Sequence, residues 1–149
     1  MRYWFDTEFI EDGKTIDLIS IGIVAEDGRE YYAELAECDL SKASDWVKEN
    51  VFPSLTGTLT FRRDVVEGVK QFLGEKPEIW GYYADYDWVA FCQLFGRMID
   101  LPKGYPMYCR DVKQLADFSE GTLLPKQESV KHNALTDARW TKQAWECLQ

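Results

Sequence analysis

Two Asp-Gly turns lie within the first 30 residues, and each separates segments rich in apolar and β-branched side chains. Asp12-Gly13 separates the aromatic segment Tyr3–Phe5 from the run IDLISIGIVA at Ile16–Ala25. Asp27-Gly28 separates that run from Glu30–Leu35. An Asp-Gly pair between such segments is a strong hairpin signal. The first 35 residues are therefore predicted to form a meander of three antiparallel strands.

Beyond residue 35 the apolar side chains recur at helical spacing, interrupted by two short strand-like segments. Ser41 or Ser44 is placed to cap the first helix, Thr60 the second and Asn133 the last. The predicted helices are Ser41–Val51, a segment from Thr60 to Leu73, Asp87–Phe95, Val112–Phe118 and Ala134–Leu148, and the predicted strands are Glu78–Tyr83 and Met107–Cys109.

A meander followed by strands that alternate with helices is typical of an α/β fold with a mixed sheet. The chain has 149 residues, and domains commonly hold roughly 100–150 residues. We therefore expect residues 1–149 to form a single domain.

The net charge of −9 argues against a protein that coats nucleic acid, because such proteins present a basic face to the phosphates. It is compatible with an enzyme that holds a few nucleotides at one end and whose carboxylates are neutralised by divalent cations. The charged N-terminal segment is unlike a signal peptide, and no apolar run approaches the roughly 20 residues of a membrane helix. Four dispersed cysteines argue against structural zinc and indicate reduced thiols in a cytoplasmic protein.

An acidic pair, Asp6 and Glu8, follows the first apolar segment. Residues i and i+2 of a strand project from the same face, about 6.6 Å apart along the chain. Most Asp-x-Glu pairs lie on solvated strand edges. Here the strand is expected to be central and to end at the pair, so the carboxylates would be partly desolvated, and a bound cation would offset the free-energy cost of burying their charges.

His132 is the single histidine and lies five positions before Asp137. On one helix the two side chains would be about 140° apart, so both could not face one site. If Asn133 caps the final helix, His132 lies in the preceding loop and is free to move over the site. Asp137 then projects from the first turn of the helix. A lone histidine is more often a surface or capping residue, and the spacing alone leaves that alternative open.

A third acidic segment, Ala84–Asp87, lies between the short aromatic strand and the helix predicted after it. Asp87 is the candidate functional acid because it directly precedes an apolar helix at a strand-to-helix junction. Asp85 is interpreted as a loop acid or a helix cap, although the sequence leaves the choice between the two open.

Together these segments resemble the DEDDh branch of the ribonuclease H-like 3′→5′ exonucleases. Asp6–Glu8 matches the first family motif, Asp-x-Glu on the first strand, and His132–Asp137 matches the third, His-x4-Asp. Ala84–Asp87 matches the second, commonly written HNA-aromatic-D, with Asp85 where Asn is common. The family topology covers nearly the whole chain and implies a ribonuclease H-like mixed sheet flanked by helices.

A closer resemblance is to the small bacterial exoribonucleases called RNase AS, which prefer polyadenylate. The segments FDTEFIEDG, LISIGIV and EDGREYY, all near the N-terminus, carry this resemblance. It implies an RNA 3′ end as the substrate, a nucleoside 5′-monophosphate as the product and a homodimer as the assembly.

The resemblance also implies roles for individual side chains. His132 would take the proton from the attacking water, a role that suits an imidazole with an ordinary pKa of about 6.5. Two Mg²⁺ or Mn²⁺ ions, which prefer oxygen ligands, would be coordinated by Asp6, Glu8, Asp87 and Asp137.

Substrate contacts are less constrained by the sequence. Phe9 would stack on the terminal base or, alternatively, belong to the core. Basic side chains that could contact phosphates are Arg62, Arg63, Arg97, Lys103, Arg110, Lys126 and Lys131, each of which could equally be a solvated surface residue.

Two other functions remain possible from the sequence. One is a DNA-directed proofreading or repair exonuclease, and the other is a catalytically silent nucleotide-binding or protein-interaction module. Retention of all five candidate site residues argues against the silent module.

Overall fold

The computed structural model describes residues 1–119, 121–127 and 132–149. In these ranges six strands form one sheet, and five α-helices flank it. The strands are β1 (Arg2–Glu11), β2 (Ile16–Ala25), β3 (Glu30–Leu35), β4 (Leu59–Thr60), β5 (Glu78–Gly81) and β6 (Arg110–Asp111). The helices are α1 (Asp45–Asn50), α2 (Arg62–Leu73), α3 (Asp85–Phe95), α4 (Val112–Phe118) and α5 (Ala134–Glu146). Short 3-10 turns lie at Leu40–Lys42, Phe52–Ser54 and Met98–Asp100.

The strand order across the sheet is β4-β3-β2-β1-β5-β6. The β1–β2 and β2–β3 pairs are antiparallel, as the two Asp-Gly turns predict. The β3–β4, β1–β5 and β5–β6 pairs are parallel. The expected α/β fold, a ribonuclease H-like mixed sheet built on a three-stranded meander, is therefore confirmed.

Alternate side chains of β1 pack into different layers. Tyr3 and Phe5 are buried with apolar residues of α2 and α3 on one face of the sheet. Trp4 is buried with Val112 of α4 and Trp145 of α5 on the other face. Because side chains alternate across a strand, Asp6 and Glu8 lie on the same face as Trp4. The acidic pair is therefore on the layer that α5 covers.

The prediction that β1 ends at the acidic pair is wrong, because β1 continues to Glu11. Its antiparallel partner β2 pairs with it as far as Ile16, with a register shift between Glu8 and Phe9. Its parallel partner β5, in contrast, pairs only as far as Trp4. The acids thus lie inside a strand, just past the point where its neighbour on one side has ended.

Two other predictions are also wrong. Thr60 is not a helix cap, because its backbone pairs in β4 and its carbonyl accepts a hydrogen bond from Ala36 N at 3.0 Å. Phe61 occupies the N-cap position of α2 without a side-chain hydrogen bond. The strand predicted at Met107–Cys109 lies instead at Arg110–Asp111, where the backbone reaches β5.

Other helix and strand boundaries move by a few residues. Ser44, not Ser41, caps α1, because the chain is extended at Ala43 between the first 3-10 turn and the helix. Asp85 is the first residue of α3 and Ala84 its N-cap, so Asp85 is neither a loop acid nor a cap. Strand β5 ends at Gly81, before the predicted end at Tyr83.

The final helix begins where predicted. The Asn133 side chain accepts a hydrogen bond from Thr136 N at 3.1 Å and so caps α5. The helix ends at Glu146, two residues before the predicted end at Leu148. Among the described residues, no helix has both the length and the apolar character needed to span a membrane.

Gly22 lets α5 lie directly against the sheet. It pairs with Asp6 across the β1–β2 ladder. A Cβ atom at Gly22 would lie 2.3 Å from Leu135 N and 2.4 Å from Ala134 C, both backbone atoms at the start of α5. Backbone atoms cannot rotate out of the way as a side chain does, so any larger residue would push the helix from the sheet.

We predict that Gly22→Ala lowers the free energy of unfolding by about 2 kcal/mol, the usual range for overpacking a filled interior. Urea denaturation of the metal-free protein measures the loss. Gly13→Ala is the control, because nothing lies within 4 Å of its added methyl group and only its φ of +83° is strained. A loss at Gly22 no larger than that at Gly13 would contradict the role of close helix packing.

Candidate active site

The two acids of β1 face α5 from the middle of the sheet. Glu8 is buried and Asp6 is partly buried. Because β5 has ended by this point in the sheet, the space beside Asp6 is open on one side and forms a cleft. Antiparallel pairing to β2 holds the backbone of both residues, so the acids are presented on a rigid element.

Asp137 reaches the cleft from the first turn of α5. Its Oδ2 accepts a hydrogen bond from the backbone N–H of His132 at 2.9 Å. Its Oδ1 accepts another from the side-chain amide of Gln127. The helix position of Asp137 depends on Gly22, which permits α5 to lie opposite Asp6. The side chain is therefore directed by contacts on both of its oxygens.

Asp87 enters from the other side of the sheet, in the first turn of α3. Its Oδ1 accepts hydrogen bonds from the backbone N–H of Thr7 at 2.9 Å and from the Thr7 hydroxyl at 2.5 Å. Thr7 lies between the two acids of β1, so one strand supplies both the acidic pair and the donors that orient the third acid. Both donors use Oδ1, which leaves Oδ2 outside these two hydrogen bonds.

His132 lies directly before α5, as expected from the capping role of Asn133. Its backbone has φ of +64°, an uncommon conformation for a residue other than glycine. The Ser54 hydroxyl donates to the carbonyl of His132 at 2.6 Å, and Asn133 Nδ2 donates to the carbonyl of Ser54 at 3.2 Å. The His132 ring packs edge-on against Trp46, with centroids 4.8 Å apart. The expected movement of the His132 loop over the site remains a prediction.

The buried side chain of Glu34 anchors the loop that follows Ser54, the residue whose hydroxyl contacts His132. Glu34 is 1% exposed, and it accepts hydrogen bonds from the N–H groups of Thr56 and Gly57 at 2.6 and 2.9 Å. The hydroxyls of Thr56 and Tyr32 donate to it as well. A buried charge is tolerated when it is hydrogen-bonded in this way. Strand β3 thus fixes the backbone two residues beyond Ser54.

The five candidate catalytic or metal-binding residues and the candidate base-stacking residue all line one cleft of about 290 Å³. They are Asp6, Glu8, Phe9, Asp87, His132 and Asp137. Within it, ligand atoms of Glu8, His132 and Asp137 lie within 4.8 Å of one another. Phe9 is partly buried and packs against Tyr86 at a centroid distance of 6.0 Å, so its ring has both a packed side and a side on the cleft.

Burial and mutual repulsion disfavour negative charge on these acids. Desolvation, followed by the charges of Asp137 and Asp87, raises the pKa of Glu8 to about 8. Burial also raises the pKa of Asp87 to about 6, although the hydrogen bonds from Thr7 oppose the increase. The pKa of Asp6 is raised well above its ordinary value by burial and then by Asp87, Glu8 and Asp137.

The donor set fits divalent metal ions that prefer oxygen. Carboxylates converge in a partly desolvated cleft, and their repulsion is relieved when a cation lies between them. Among the described residues, no lysine or arginine lines this cleft. Hard cations such as Mg²⁺ and Mn²⁺ take carboxylate oxygens as ligands, so the residues present suit such ions without further change.

The predicted phosphate-contacting residues that the structure describes do not line this cleft. Arg97 is paired with Asp100 at 3.0 Å, and Arg63 with Asp64 at 3.3 Å. Arg62 donates to the carbonyl of Gln93, and neither residue lines the cleft. Arg110, Lys103 and Lys126 are likewise absent from the lining of the cleft, and Lys131 lies outside the described residues.

Sequence reasoning missed several residues of the site. Thr7 and Gln127 orient the acids, and Ser54 and Trp46 contact His132. Thr7 carried one available signal, its position between two acids on a strand. The other three carry no local pattern that would have identified them.

A family model and two named relatives match the chain. The model of the 3′–5′ exoribonuclease Rv2179c-like domain matches residues 1–149. The 3′–5′ exoribonuclease Rv2179c of Mycobacterium tuberculosis strain H37Rv is 43% identical over 147 residues, which cover 93% of this chain and 88% of the relative. The 3′–5′ exoribonuclease MT2234.1 of strain CDC 1551 matches to the same extent.

The raised pKa values predict how stability depends on pH and on metal. A carboxyl whose pKa is higher in the folded protein stabilises the fold below its ordinary pKa, and this contribution is lost as pH rises through the folded value. Between pH 5 and pH 8 the metal-free protein should therefore lose on the order of 5 kcal/mol of unfolding free energy, because Asp87 and Glu8 keep their protons in the folded protein at pH values where the unfolded chain has lost them. Thermal or urea unfolding in EDTA measures this slope.

Mg²⁺ should remove most of that slope and raise Tm more at pH 8 than at pH 5. Glu8→Gln should reduce both the slope and the effect of Mg²⁺. The matched control is Glu49→Gln, which changes an exposed glutamate of α1 and should leave both unchanged. A metal-free protein whose stability is constant over this pH range would contradict the electrostatic account.

Proposed function

Because the chain belongs to the family of 3′–5′ exoribonuclease Rv2179c-like domains, we propose that it removes nucleotides one at a time from the 3′ end of single-stranded RNA. We propose further that residues 1–149 form one exonuclease domain of the DEDDh type. The relatives' names support the exoribonuclease activity. The observation that carries the finer proposal is the convergence of four carboxylates and the single histidine in one cleft.

Asp6, Glu8, Asp87 and Asp137 would hold two Mg²⁺ or Mn²⁺ ions. When bound, such a pair of cations acidifies a water molecule and stabilises the charge that develops on the departing 3′ oxygen. The carboxylates come from β1 and from α3 and α5, which pack against β1 from opposite faces of the sheet. This packing supports a fixed spacing between the ligands.

Among the described residues, the lining of the cleft contains no lysine or arginine, and this is consistent with the arrangement. A scissile phosphate needs positive charge nearby, and arginine or lysine commonly supplies it. Here the acids themselves would recruit that charge as cations. The net charge of −9 is consistent with a protein that grips the RNA end at this one point rather than along its length.

His132 would act as the general base. A ring nitrogen would accept a proton from the attacking water as the water oxygen forms a bond to phosphorus and the bond from phosphorus to the 3′ oxygen breaks. The departing 3′ oxygen would take a proton from solvent, and His132 would return its proton to solvent. The products are a nucleoside 5′-monophosphate and a chain shorter by one nucleotide. The hydrogen bonds from Ser54 to His132 O and from His132 N to Asp137 support the role, because they hold the backbone beside the acids.

Phe9 would stack on the 3′-terminal base from the wall of the cleft, and Tyr86 supports its ring from behind. We propose adenylate-rich RNA ends as the preferred substrate, for which the support is the resemblance of the N-terminal segments. A cytoplasmic location is proposed because the four dispersed cysteines are free thiols. Assembly into a homodimer remains a prediction from the same resemblance.

The direct test is degradation of a 5′-labelled oligo(A) RNA and its DNA counterpart in Mg²⁺, Mn²⁺ or EDTA. We predict a ladder that shortens from the 3′ end of the RNA, with AMP as the released product and no cleavage in EDTA. Asp6→Asn and His132→Gln should each reduce the rate on the order of a hundredfold or more, because each removes a group that acts in the chemical step.

Asp45→Asn is the matched control, since the Asp45 side chain is 93% exposed on α1 and should be dispensable. The same ladder on DNA alone would reassign the protein to DNA proofreading or repair. No degradation of either substrate by the folded protein would contradict the proposed activity and favour a binding module.

A further inference from the structure

Among the described residues, two residues other than glycine have positive φ, namely Tyr83 at 54° and His132 at 64°. Both line the same cleft. Left-handed backbone is unfavourable for a bulky side chain, and it persists where the surrounding structure holds it and where function requires it. The proposed mechanism accounts for His132, which is the general base, but gives no role to Tyr83.

The ring of Tyr83 is 65% exposed, although it is a large side chain at the edge of a cleft that also contains Asp6 and Asp87. Its neighbour Tyr82 lies edge-to-face with it at a centroid distance of 4.9 Å, and Tyr82 in turn packs against Trp140 of α5 at 4.8 Å. A row of rings therefore braces Tyr83 against the core while much of its own surface stays open.

The backbone around Tyr83 is held on both sides. Before it, β5 ends at Gly81, and the Tyr82 ring is packed between two aromatic neighbours. After it, Ala84 N donates to Asp111 Oδ2 at 3.0 Å, and α3 begins at the next residue. These anchors keep the turn in its left-handed conformation and fix where the Tyr83 ring projects.

The turn itself does not require tyrosine. Asn or Gly adopts positive φ at lower conformational free energy, and an exposed ring contributes little to folding by burial. The tyrosine is thus placed at a position where its backbone is strained, its ring is left in water, and the candidate metal-binding acids are close by. A strained backbone, an exposed ring and nearby acids are together expected where a ligand covers the ring when it binds.

We propose that Tyr83 is a substrate-binding residue whose ring stacks on a nucleobase at the single-stranded RNA 3′ end. This inference rests on the proposed function. Stacking suits the site because every base has a flat face, so an aromatic ring can hold a strand regardless of sequence. Phe9 lines the same cleft. The rings of Phe9 and Tyr83 would hold the bases at the RNA 3′ end, while the carboxylates would lie beside the scissile phosphate.

Three substitutions at Tyr83 separate binding from folding. Tyr83→Phe keeps the ring and should leave KM for oligo(A) RNA near the wild-type value. Tyr83→Ala and Tyr83→Asn both remove the ring and should raise KM roughly tenfold, with a much smaller change in kcat. Tyr83→Asn also relieves the backbone, so its Tm should exceed that of Tyr83→Ala by about 2–4 °C. If Tyr83 acted only in folding, KM would not rise in Tyr83→Asn, the more stable of these two variants.

The matched control is Phe61→Ala, which removes a ring with the same 65% exposure from a position outside the cleft and should leave KM unchanged. An unchanged KM in both Tyr83→Ala and Tyr83→Asn, with wild-type activity intact, would overturn the inference while leaving the proposed function standing.

A wild-type protein that does not degrade RNA would instead refute the proposed function. Calorimetric titration with AMP and Mg²⁺ then decides about Tyr83. Weaker binding by Tyr83→Ala than by wild type supports the stacking role, and equal binding, or no binding by the wild type, overturns it.

Discussion

Repulsion among buried carboxylates is the constraint on which the rest of the structure depends. Asp6, Glu8 and Asp87 lose much of their hydration in the cleft, and their pKa values are raised by burial and by one another's charge. The described lining of the cleft contains no lysine or arginine to offset that charge. Such a cluster is unfavourable for folding by itself, so the surrounding fold must hold the carboxylates in place.

The scaffold meets this requirement with backbone contacts more than with ion pairs. Thr7 donates twice to Asp87, and the His132 N–H donates to Asp137. Gly22 brings α5 onto the sheet beside Asp6, because no side-chain atom separates the helix backbone from the strand. Glu34 fixes the loop next to Ser54, on which the His132 backbone depends. Each of these contacts fixes the position of a candidate site residue relative to a strand, helix or anchored loop of the fold.

The parts of this arrangement that have a local pattern could be predicted from the sequence. The bounds of β2 and β3 agree with the prediction because Asp-Gly turns and alternating apolar residues delimit them, and the Asn133 cap was evident from its position before an apolar helix. The acids and the histidine were singled out because they match the three motifs of the family that the chain resembles, and the structure brings them to one cleft.

The missed features depend on contacts that form only in the folded chain. Strands β4 and β6 have two residues each, too few to show a periodic pattern. Extension of β1 past the acids depends on a partner strand, not on the apolar character of its own residues. The sequence predicts Tyr83 as the last residue of a strand. Its left-handed backbone instead results from the packing of Tyr82 and the anchoring of Ala84, contacts that the local sequence does not indicate.

The central claim is that the four carboxylates exist to hold two divalent cations while His132 remains available as a base. Anomalous diffraction from crystals soaked in Mn²⁺ with AMP measures this directly. The account predicts two manganese peaks about 3.5–4 Å apart, contacted by Asp6, Glu8, Asp87 and Asp137, with the His132 ring bound to neither. A single peak held by Glu8, Asp137 and the His132 ring, whose ligand atoms lie within 4.8 Å of one another, would contradict it, as would a cleft without manganese.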